Sequence, residues 1–385
     1  MHNTGYRPGL RPSRKNWIIA VILLCLGLWL VITVFGTRKS QMRASGDGDD
    51  DVDYSTVEVV GKWPEGRKKV VLLTGGAGFI ARFLLGRGDD VIIVDEVNDY
   101  YDITIKEDNL AFLSSFAKHR LDIADRAGMR AIFDQAQTDG APITHICHLA
   151  ARAGVRYSIE NPDVYIHSNL QGTLVMLDMA RDYTVTNFVF ASSSSVYGEN
   201  KKVPFAETDR VDNPVSPYAA TKRACELLAK TYNHLYGIPM SGLRFFTVYG
   251  PRGRPDMAPY KFIDAIYNGK PINKFGDGTT SRDYTFVSDV VQGIVATIDM
   301  PFAELQLFNL GNSRTINLNR FIEVVEAAVG KKAVINHMPP QPGDVPITFA
   351  DLRKSKQLLG YDPQVPIEEG IKRMAEWYIE KYGKA

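Results

Sequence analysis

The sequence predicts an α/β fold: a doubly wound parallel sheet with a smaller C-terminal substrate-binding lobe, preceded by one transmembrane helix. Three observations carry this prediction. Short apolar, β-branched runs alternate with helical stretches through the middle of the chain; the first run ends in a glycine cluster and the second in an acid; and one uncharged stretch of bilayer length stands near the N-terminus. The 385 residues carry 45 Lys and Arg against 44 Asp and Glu, a formal net charge of +1, with 45% hydrophobic and 23% charged residues. That balance excludes a disordered tail protein, a collagen-like repeat and a polybasic nucleic-acid binder, and the length supports a core without disulfide staples. Cys25, Cys147 and Cys225 have neither zinc-site nor redox-pair spacing, so Cys147 and Cys225 read as small core residues. No histidine pair has metal-ligand spacing, and no metal is expected.

In chain order, residues 1–16 read as a cytosolic tail and residues 17–36 as a membrane anchor, because no residue from Trp17 to Phe35 is charged. Arg7, Arg11, Arg14 and Lys15 precede the span and Arg38, Lys39 and Arg43 follow it, which favours a cytosolic N-terminus by four cations to three. The alternative is a cleaved signal peptide. Against it stand the length of the apolar run and the lack of a small-x-small cleavage pattern. Residues 37–68 read as a flexible acidic stem, since Asp47, Asp49, Asp50, Asp51 and Asp53 lie among glycines in a composition that cannot bury apolar surface.

Residues 69–250 then read as a Rossmann-like, dinucleotide-binding domain. Val70–Leu73 and Val91–Val94 have the continuous apolar character of buried parallel strands, and Ile143–Leu149, Phe188–Ala191 and Met240–Phe246 are further strand candidates. Helical patterns lie between them at Asp125–Gln137, Asn161–Arg181 and Tyr218–Tyr236. Beyond Gly250 the regularity weakens. The turn-rich stretch Pro251–Ser281, followed by short helices, makes residues 251–385 the substrate-binding lobe, with some sheet elements returning.

Gly75, Gly76 and Gly78 follow a strand and open a helix, a setting in which glycine lets the backbone approach a pyrophosphate. Such a cluster alone also fits a tight turn without a ligand. Asp95, 20 residues after Gly75 at the end of the next strand, is placed to accept hydrogen bonds from an adenosine ribose, and the combination points to dinucleotide binding. Tyr218 and Lys222 are four residues apart and share one helix face. A phenol titrates near 10, and an ammonium beside it together with a cationic nicotinamide favours the phenolate, so the pair can act as base and partner. The hydroxyls of Ser192–Ser195, at the carboxyl end of a strand, are placed to pass a proton to Tyr218.

On these residues the chain resembles the extended short-chain dehydrogenase/reductase family, and within it the UDP-glucuronate 4-epimerases. The resemblance runs from about Val70 to Tyr378. It is carried by Thr74-Gly-Gly-Ala-Gly-Phe-Ile80, Asn98-Asp-Tyr-Tyr-Asp102, His148-Leu-Ala-Ala-Arg-Ala-Gly-Val-Arg156, Ser192-Ser-Ser-Ser-Val-Tyr-Gly198, Tyr218-Ala-Ala-Thr-Lys222, Gly253-Arg-Pro-Asp-Met-Ala258, Ser281-Arg-Asp-Tyr284 and Gln341-Pro-Gly-Asp344. The first five place the superfamily, and Gly253–Ala258 points to the glucuronate epimerases. The resemblance implies Tyr218 as base, Lys222 as its partner and Ser193 as the completing hydroxyl. For NAD it implies Gly75, Gly78, Phe79, Ile80, Asp95, Asp122, Ile123, Ala150, Ala151 and Lys222. For a UDP-sugar it implies Arg282 at the diphosphate, Asp344 at the uridine ribose, Thr247 with Ser194 at the sugar carboxylate, and Arg156 as a further contact. Arg156 also reads as a surface pair and Thr247 as the end of a strand.

The activity so implied is reversible 4-epimerisation of UDP-glucuronate to UDP-galacturonate through a transient 4-keto intermediate with bound NAD. Relatives that decarboxylate sugar acids carry glutamate where Ser195 stands, and the 4,6-dehydratases carry Asp-Glu at Ser194 and Ser195; neither acid is present. A 4-epimerase of a neutral or pentosyl UDP-sugar and a catalytically inactive nucleotide-sugar-binding homologue remain as alternatives. The resemblance further implies a homodimer. With the anchor, it implies a single-pass type II Golgi membrane protein with a luminal catalytic domain and no nucleic-acid partner. Three positions depart from the family: the third glycine of the turn is missing with about four residues, or roughly one helical turn; Arg252 stands where tryptophan is frequent; and Arg152 stands where glutamine is usual. The shortening is expected to draw the helix from the pyrophosphate or to strain the loop.

Overall fold

The computed structural model describes residues 57–60, 63, 68–84, 88–340 and 345–383. The anchor at 17–36, most of the stem and Asp344 lie outside the described residues; among those that are described, no helix is long and apolar enough to cross a membrane. The strands that build the main sheet are β1 (Val70–Thr74), β2 (Asp90–Asp95), β3 (Ala117–Arg120), β4 (His145–His148), β5 (Asn187–Ser193), β6 (Met240–Phe245) and β10 (Gln306–Leu310). They lie in the order β3-β2-β1-β4-β5-β6-β10, every neighbouring pair parallel. The order reverses between β1 and β4. A crevice therefore opens beyond their carboxyl ends, where doubly wound sheets place their ligands.

Both faces of the sheet are covered over its inner strands, which is why β1, β5 and β6 read as largely apolar runs. Successive side chains point to opposite faces: Val71 and Leu73 enter one core cluster, and Val70 and Leu72 the other. Phe188 and Phe190 of β5 fill the second cluster and Val189 the first. Each such fully buried side chain contributes about 1.5–3 kcal/mol. Cys147 and Cys225 are buried thiols within these layers.

The connecting helices are α1 (Phe79–Leu84), α2 (Ile103–Phe112), α3 (Arg126–Thr138), α4 (Val155–Glu160), α5 (Pro162–Tyr165), α6 (Gly172–Asp182) and α7 (Pro217–Tyr236). Their caps are written in the sequence. Asp125 accepts hydrogen bonds from the Ala127 and Gly128 amides to start α3, and Ser216 accepts one from Ala219 to start α7, which has Pro217 in its first turn and Gly237 at φ 65° behind it. After β6 the chain adds β7 (Thr247–Tyr249), α8 (Ala258–Tyr267), β8 (Pro271–Phe275), β9 (Ser281–Phe286), α9 (Val287–Asp299), β11 (Thr315–Asn317), α10 (Leu318–Val329), β12 (Val334–Met338), α11 (Arg353–Leu359) and α12 (Ile367–Tyr382); α9 packs on β5, β6 and α1, and α11 on β10, and the others form the second lobe. Strands β7, β9 and β11 form a three-stranded sheet, and β8 pairs with β12. The buried Asp283 of β9 holds the lobe together by accepting the Asn312, Ser313 and Ala350 amides at 2.7, 3.0 and 3.1 Å.

Several expectations change. The helix expected over Asn161–Arg181 is present as an unbroken helical run from Pro162 to Asp182, and its middle, Ile166–Gln171, between α5 and α6, is π-helical. Strand β3 and helix α2 have no periodic apolar signal: β3 is exposed throughout, and only Ile105, Lys106 and Asn109 of α2 are buried. The stem expected over 37–68 ends earlier. Val59 bridges Phe302, Val60 donates to the Pro301 carbonyl at 2.8 Å, and Trp63 packs edge-on against His145 at 4.9 Å. The β-branched Val57-Glu-Val-Val60 has apolar surface to bury, unlike the acidic segment before it.

Candidate active site

The glycine turn after β1 is built by close approach. At φ 73°, a Cβ on Gly75 would lie 2.7 Å from the Ala150 amide nitrogen, and one on Gly76 would lie 2.2 Å from the Ile93 side chain. The amides of the turn are spent on the turn itself and on the end of β2. Gly75 donates to the Val94 carbonyl at 2.8 Å, Gly78 to the Gly75 carbonyl at 3.0 Å, and Ala77 to Asp95 Oδ2 at 3.0 Å. The next donors along the chain are those of Phe79 and Ile80, which open α1, where a helix has no internal acceptors to offer. Both residues line the cleft. Helix α1 begins directly at Phe79, one residue after Gly78. Asp95 Oδ1 accepts the Val97 amide at 2.8 Å, so this carboxylate orients the turn as well as facing the cleft.

One cleft gathers Gly75, Gly78, Phe79, Ile80, Asp95, Asp122, Ile123, Ala150 and Ala151 with Ser193, Ser194, Tyr218, Lys222 and Thr247. It joins the crevice of the sheet to the second lobe through Phe245–Val248, Arg254 and Met257. Tyr218 is 9% exposed and Lys222 5%, so the pair sits at the inner wall of the cleft. Lys222 Nζ donates to the Ala191 carbonyl of β5 at 2.7 Å, which leaves two of its three N–H groups for a ligand. The Tyr165 ring stands edge-on to Tyr218 at 6.0 Å. Ser193 Oγ accepts the Ser195 amide at 3.2 Å and donates to Ser195 Oγ at 3.1 Å. Ser192 is turned the other way and donates to Glu226 at 2.6 Å.

Beneath this wall lies a buried ion pair. Arg244 donates to both Glu226 oxygens at 2.9 and 3.0 Å and to the Tyr197 hydroxyl at 3.1 Å. Burial pushes the Glu226 carboxyl up, but Arg244 outweighs it and leaves the pKa below the ordinary carboxylate value. His148, between Thr74 Oγ1 at 2.7 Å and Thr173 Oγ1 at 3.1 Å, is pushed down to about 3 by burial and then by the Lys222 charge, so it is a neutral structural link.

Sequence reading missed Asn169. From the π-helical stretch its Oδ1 accepts the Arg152 amide at 2.8 Å, and its Nδ2 donates to the Arg152 carbonyl and to Thr221 Oγ1, both at 3.0 Å. The extra backbone residue of a π turn re-aims one side chain, and here that side chain ties the end of β4 to the helix that carries Tyr218. The motifs quoted without roles also find one. Tyr100 donates to the Ala153 carbonyl at 2.7 Å, Arg254 donates to the same carbonyl at 3.0 Å, and Asp256 holds Arg254. Asn98–Asp102 and Gly253–Ala258 thus meet over the turn after β4. Arg252, at φ 64°, donates to Asn109 Oδ1 at 3.2 Å, and Asn109 donates to the Ala77 carbonyl at 2.9 Å, a strut from the second lobe to the glycine turn.

Two predicted sugar-nucleotide contacts stand apart from the cleft wall. Arg156 is exposed and lies over the Phe275 ring at 5.3 Å. Arg282, on β9, donates to the Ser281 carbonyl at 2.9 Å. Asp344 lies outside the described residues.

A sequence profile described as GDP-mannose 4,6 dehydratase matches residues 72–374. The chain is 45% identical over 317 residues to a UDP-glucuronate 4-epimerase of Thermodesulfobacterium geofontis, covering 80% of this chain and 96% of that one. It is 42% identical over 339 residues to a probable UDP-glucuronate 4-epimerase of Rhizobium meliloti, covering 82% and 98%. In structure it is similar to a UDP-glucuronic acid 4-epimerase of Bacillus cereus in complex with UDP-glucuronic acid and NAD, with a TM-score of 0.75 at 32% identity, covering 81% of this chain and 100% of the other.

Proposed function

The chain belongs to the GDP-mannose 4,6 dehydratase family, and from that premise we propose that it is an NAD-dependent isomerase that interconverts UDP-glucuronate and UDP-galacturonate. The observation that carries this reading is one cleft that holds the glycine turn, Asp95, Tyr218 and Lys222 together, with serines and no acid at 194 and 195. Relatives at 42% and 45% identity named for this activity support it. The residues present fit a dinucleotide. The turn permits backbone approach at Gly75, the Phe79 and Ile80 amides open the helix, and Asp122 with Ile123 lines the far end of the cleft beyond Asp95.

Bound NAD supplies a hydride acceptor for carbon 4 of the sugar and gives the hydride back, so no net oxidation results. Tyr218 takes the proton from the sugar 4-hydroxyl as the ketone forms and returns it after the sugar has turned over. Its hydroxyl can do this because it has no hydrogen-bond partner among the described residues and faces the cleft. Lys222 holds the nicotinamide-side ribose, and Ser193 relays the proton. Thr247 and Ser194 bind the sugar carboxylate; Arg282 is the diphosphate contact of this reading, Asp344 the uridine-ribose contact and Arg156 a further substrate contact, although Arg156 and Arg282 stand apart from the cleft wall. Retention of the carboxylate is consistent with the residues present: the 4-keto intermediate is a β-keto acid, which loses carbon dioxide when a neighbouring acid assists, and Ser194 and Ser195 offer only hydroxyls.

The test is incubation of the purified full-length protein with UDP-glucuronate and separation of the products. UDP-galacturonate supports the reading, turnover of neutral UDP-sugars alone would favour the neutral-sugar epimerase, and no turnover by a folded protein the inactive homologue. Tyr218→Phe should lower kcat by about 10²–10⁴-fold without loss of folding.

The reading extends to placement. The uncharged run Trp17–Phe35 and the cation bias around it support a single-pass Golgi membrane protein with the catalytic domain in the lumen. Protease treatment of intact vesicles tests this, since a luminal domain is protected until detergent is added. Exposed Ile159, Ile166, Leu227 and Leu235 on the packed helices α4, the π-helical stretch and α7 support a homodimer through this face. Sedimentation of Leu227→Lys, expected to be monomeric, tests that.

A further inference from the structure

Arg152 is the least satisfied cation in the cleft. Its side chain is 16% exposed, yet its five N–H groups make no hydrogen bond to any described residue, and Nε is buried without a partner. What holds the guanidinium is weaker: an ion pair at 3.7 Å from Nη2 to Glu96 Oε1, and the face of the Tyr100 ring at 5.5 Å. Its backbone, by contrast, is pinned on both sides by Asn169, so the side chain leaves the end of β4 from a fixed point beside Ala150 and Ala151. A buried donor set with no acceptor costs free energy, and the guanidinium fork matches the oxygens of a phosphate. Lys106 lines the same wall but spends its ammonium on the Asn98 carbonyl and side chain, each at 2.7 Å. Across the cleft the amides from Gly75 to Gly78 are turned inward, and α1 is six residues long, so backbone dipoles there offer little field.

We propose that Arg152 binds the diphosphate of the dinucleotide, supplying from the end of β4 the positive charge that the short helix after the glycine turn does not. The proposal rests on the dinucleotide reading of the cleft. It adds a cofactor contact that the motif assignments do not include. The guanidinium forms charge-assisted hydrogen bonds to the diphosphate oxygens while Glu96 and Tyr100 keep it from swinging away.

Titration calorimetry on full-length protein freed of nucleotide tests the assignment, with adenosine, ADP, ADP-ribose and UDP as probes. Arg152→Ala should weaken ADP and ADP-ribose by about 10- to 100-fold and leave adenosine and UDP unchanged, and Arg152→Lys should recover part of the loss. The salt dependence of ADP binding should also flatten in Arg152→Ala. Equal weakening of adenosine and ADP would overturn the proposal, since Arg152 would then act only by shaping the wall. Weakening of UDP alone would overturn it by placing the guanidinium on the substrate side. Unchanged ADP binding would overturn it outright, provided the variant melts like the parent; a variant that melts lower is replaced by Arg152→Gln with the same criteria. If the parent protein itself bound no ADP-ribose, the dinucleotide reading would fail first, which separates the two failures.

Discussion

Replacing Asn169 with alanine removes three hydrogen bonds at once: those with the Arg152 amide and carbonyl and with the Thr221 hydroxyl. Thr221 keeps its other bond, from Oγ1 to the Tyr218 carbonyl at 2.9 Å, so two backbone groups of Arg152 are the ones orphaned. Each buried polar group without a partner costs about 1–3 kcal/mol, and the total expected is about 2–4 kcal/mol because Arg152 is half-buried. A domain of roughly 300 residues unfolds with an entropy near 0.6 kcal/mol/K, so the melting temperature should fall by about 3–6 °C. The loss is also functional. Asn169 fixes the distance between the end of β4, where the cofactor lies in the proposed complex, and the helix that carries Tyr218. Loosening that distance by a fraction of an ångström should lower kcat by about 10- to 100-fold with little change in KM. Differential scanning calorimetry and steady-state epimerisation measure the two effects. A variant that melts within about 1 °C of the parent and turns over at the parental rate would show that the π-helical stretch does not position the site.

Other consequences can be measured in the same way. Gly75→Ala places a Cβ 2.7 Å from the Ala150 amide nitrogen at a φ of 73°, a strain of about 1–2 kcal/mol before any clash, so the purified protein should carry little or no NAD while remaining folded. Glu226→Gln strands Arg244 and should lower stability to urea by about 3–5 kcal/mol, with the slope m unchanged. His148, held near 3 when folded, takes a proton in the unfolded chain as the pH falls below about 6.5; its contribution is present above that pH and is lost on the way down. By pH 5 this one group should remove about 2 kcal/mol, and His148→Gln should flatten that limb of the stability–pH curve.

How much of this was legible in the sequence depends on what each residue answers to. β1, β5 and β6 are buried on both faces, so their residue types alone reveal them. β3 is exposed and polar, and it is a strand only because β2 offers it a backbone edge, a fact that no local pattern carries. Tyr218, Lys222 and the glycines were legible because turn geometry and helix spacing constrain them locally. Asn169 was not, because an Asn in an apolar helix gives no sign of the π turn that re-aims it. Arg152 was visible as an unusual residue, but its unspent guanidinium shows only once Glu96, Tyr100 and the end of β4 are brought around it.

The chain by itself determined the alternation of strand and helix, the glycine turn with its acid, and the tyrosine–lysine helix, since each depends on φ, on side-chain period or on neighbours within a few residues. Only the tertiary fold decided which distant groups meet. It carried β10 to the edge of the sheet, set Asn98–Asp102 against Gly253–Ala258, and joined Arg252 to the glycine turn through Asn109. Contacts of that kind span tens to more than a hundred residues, and their free energy arises from packing and desolvation, which exist only in the folded chain.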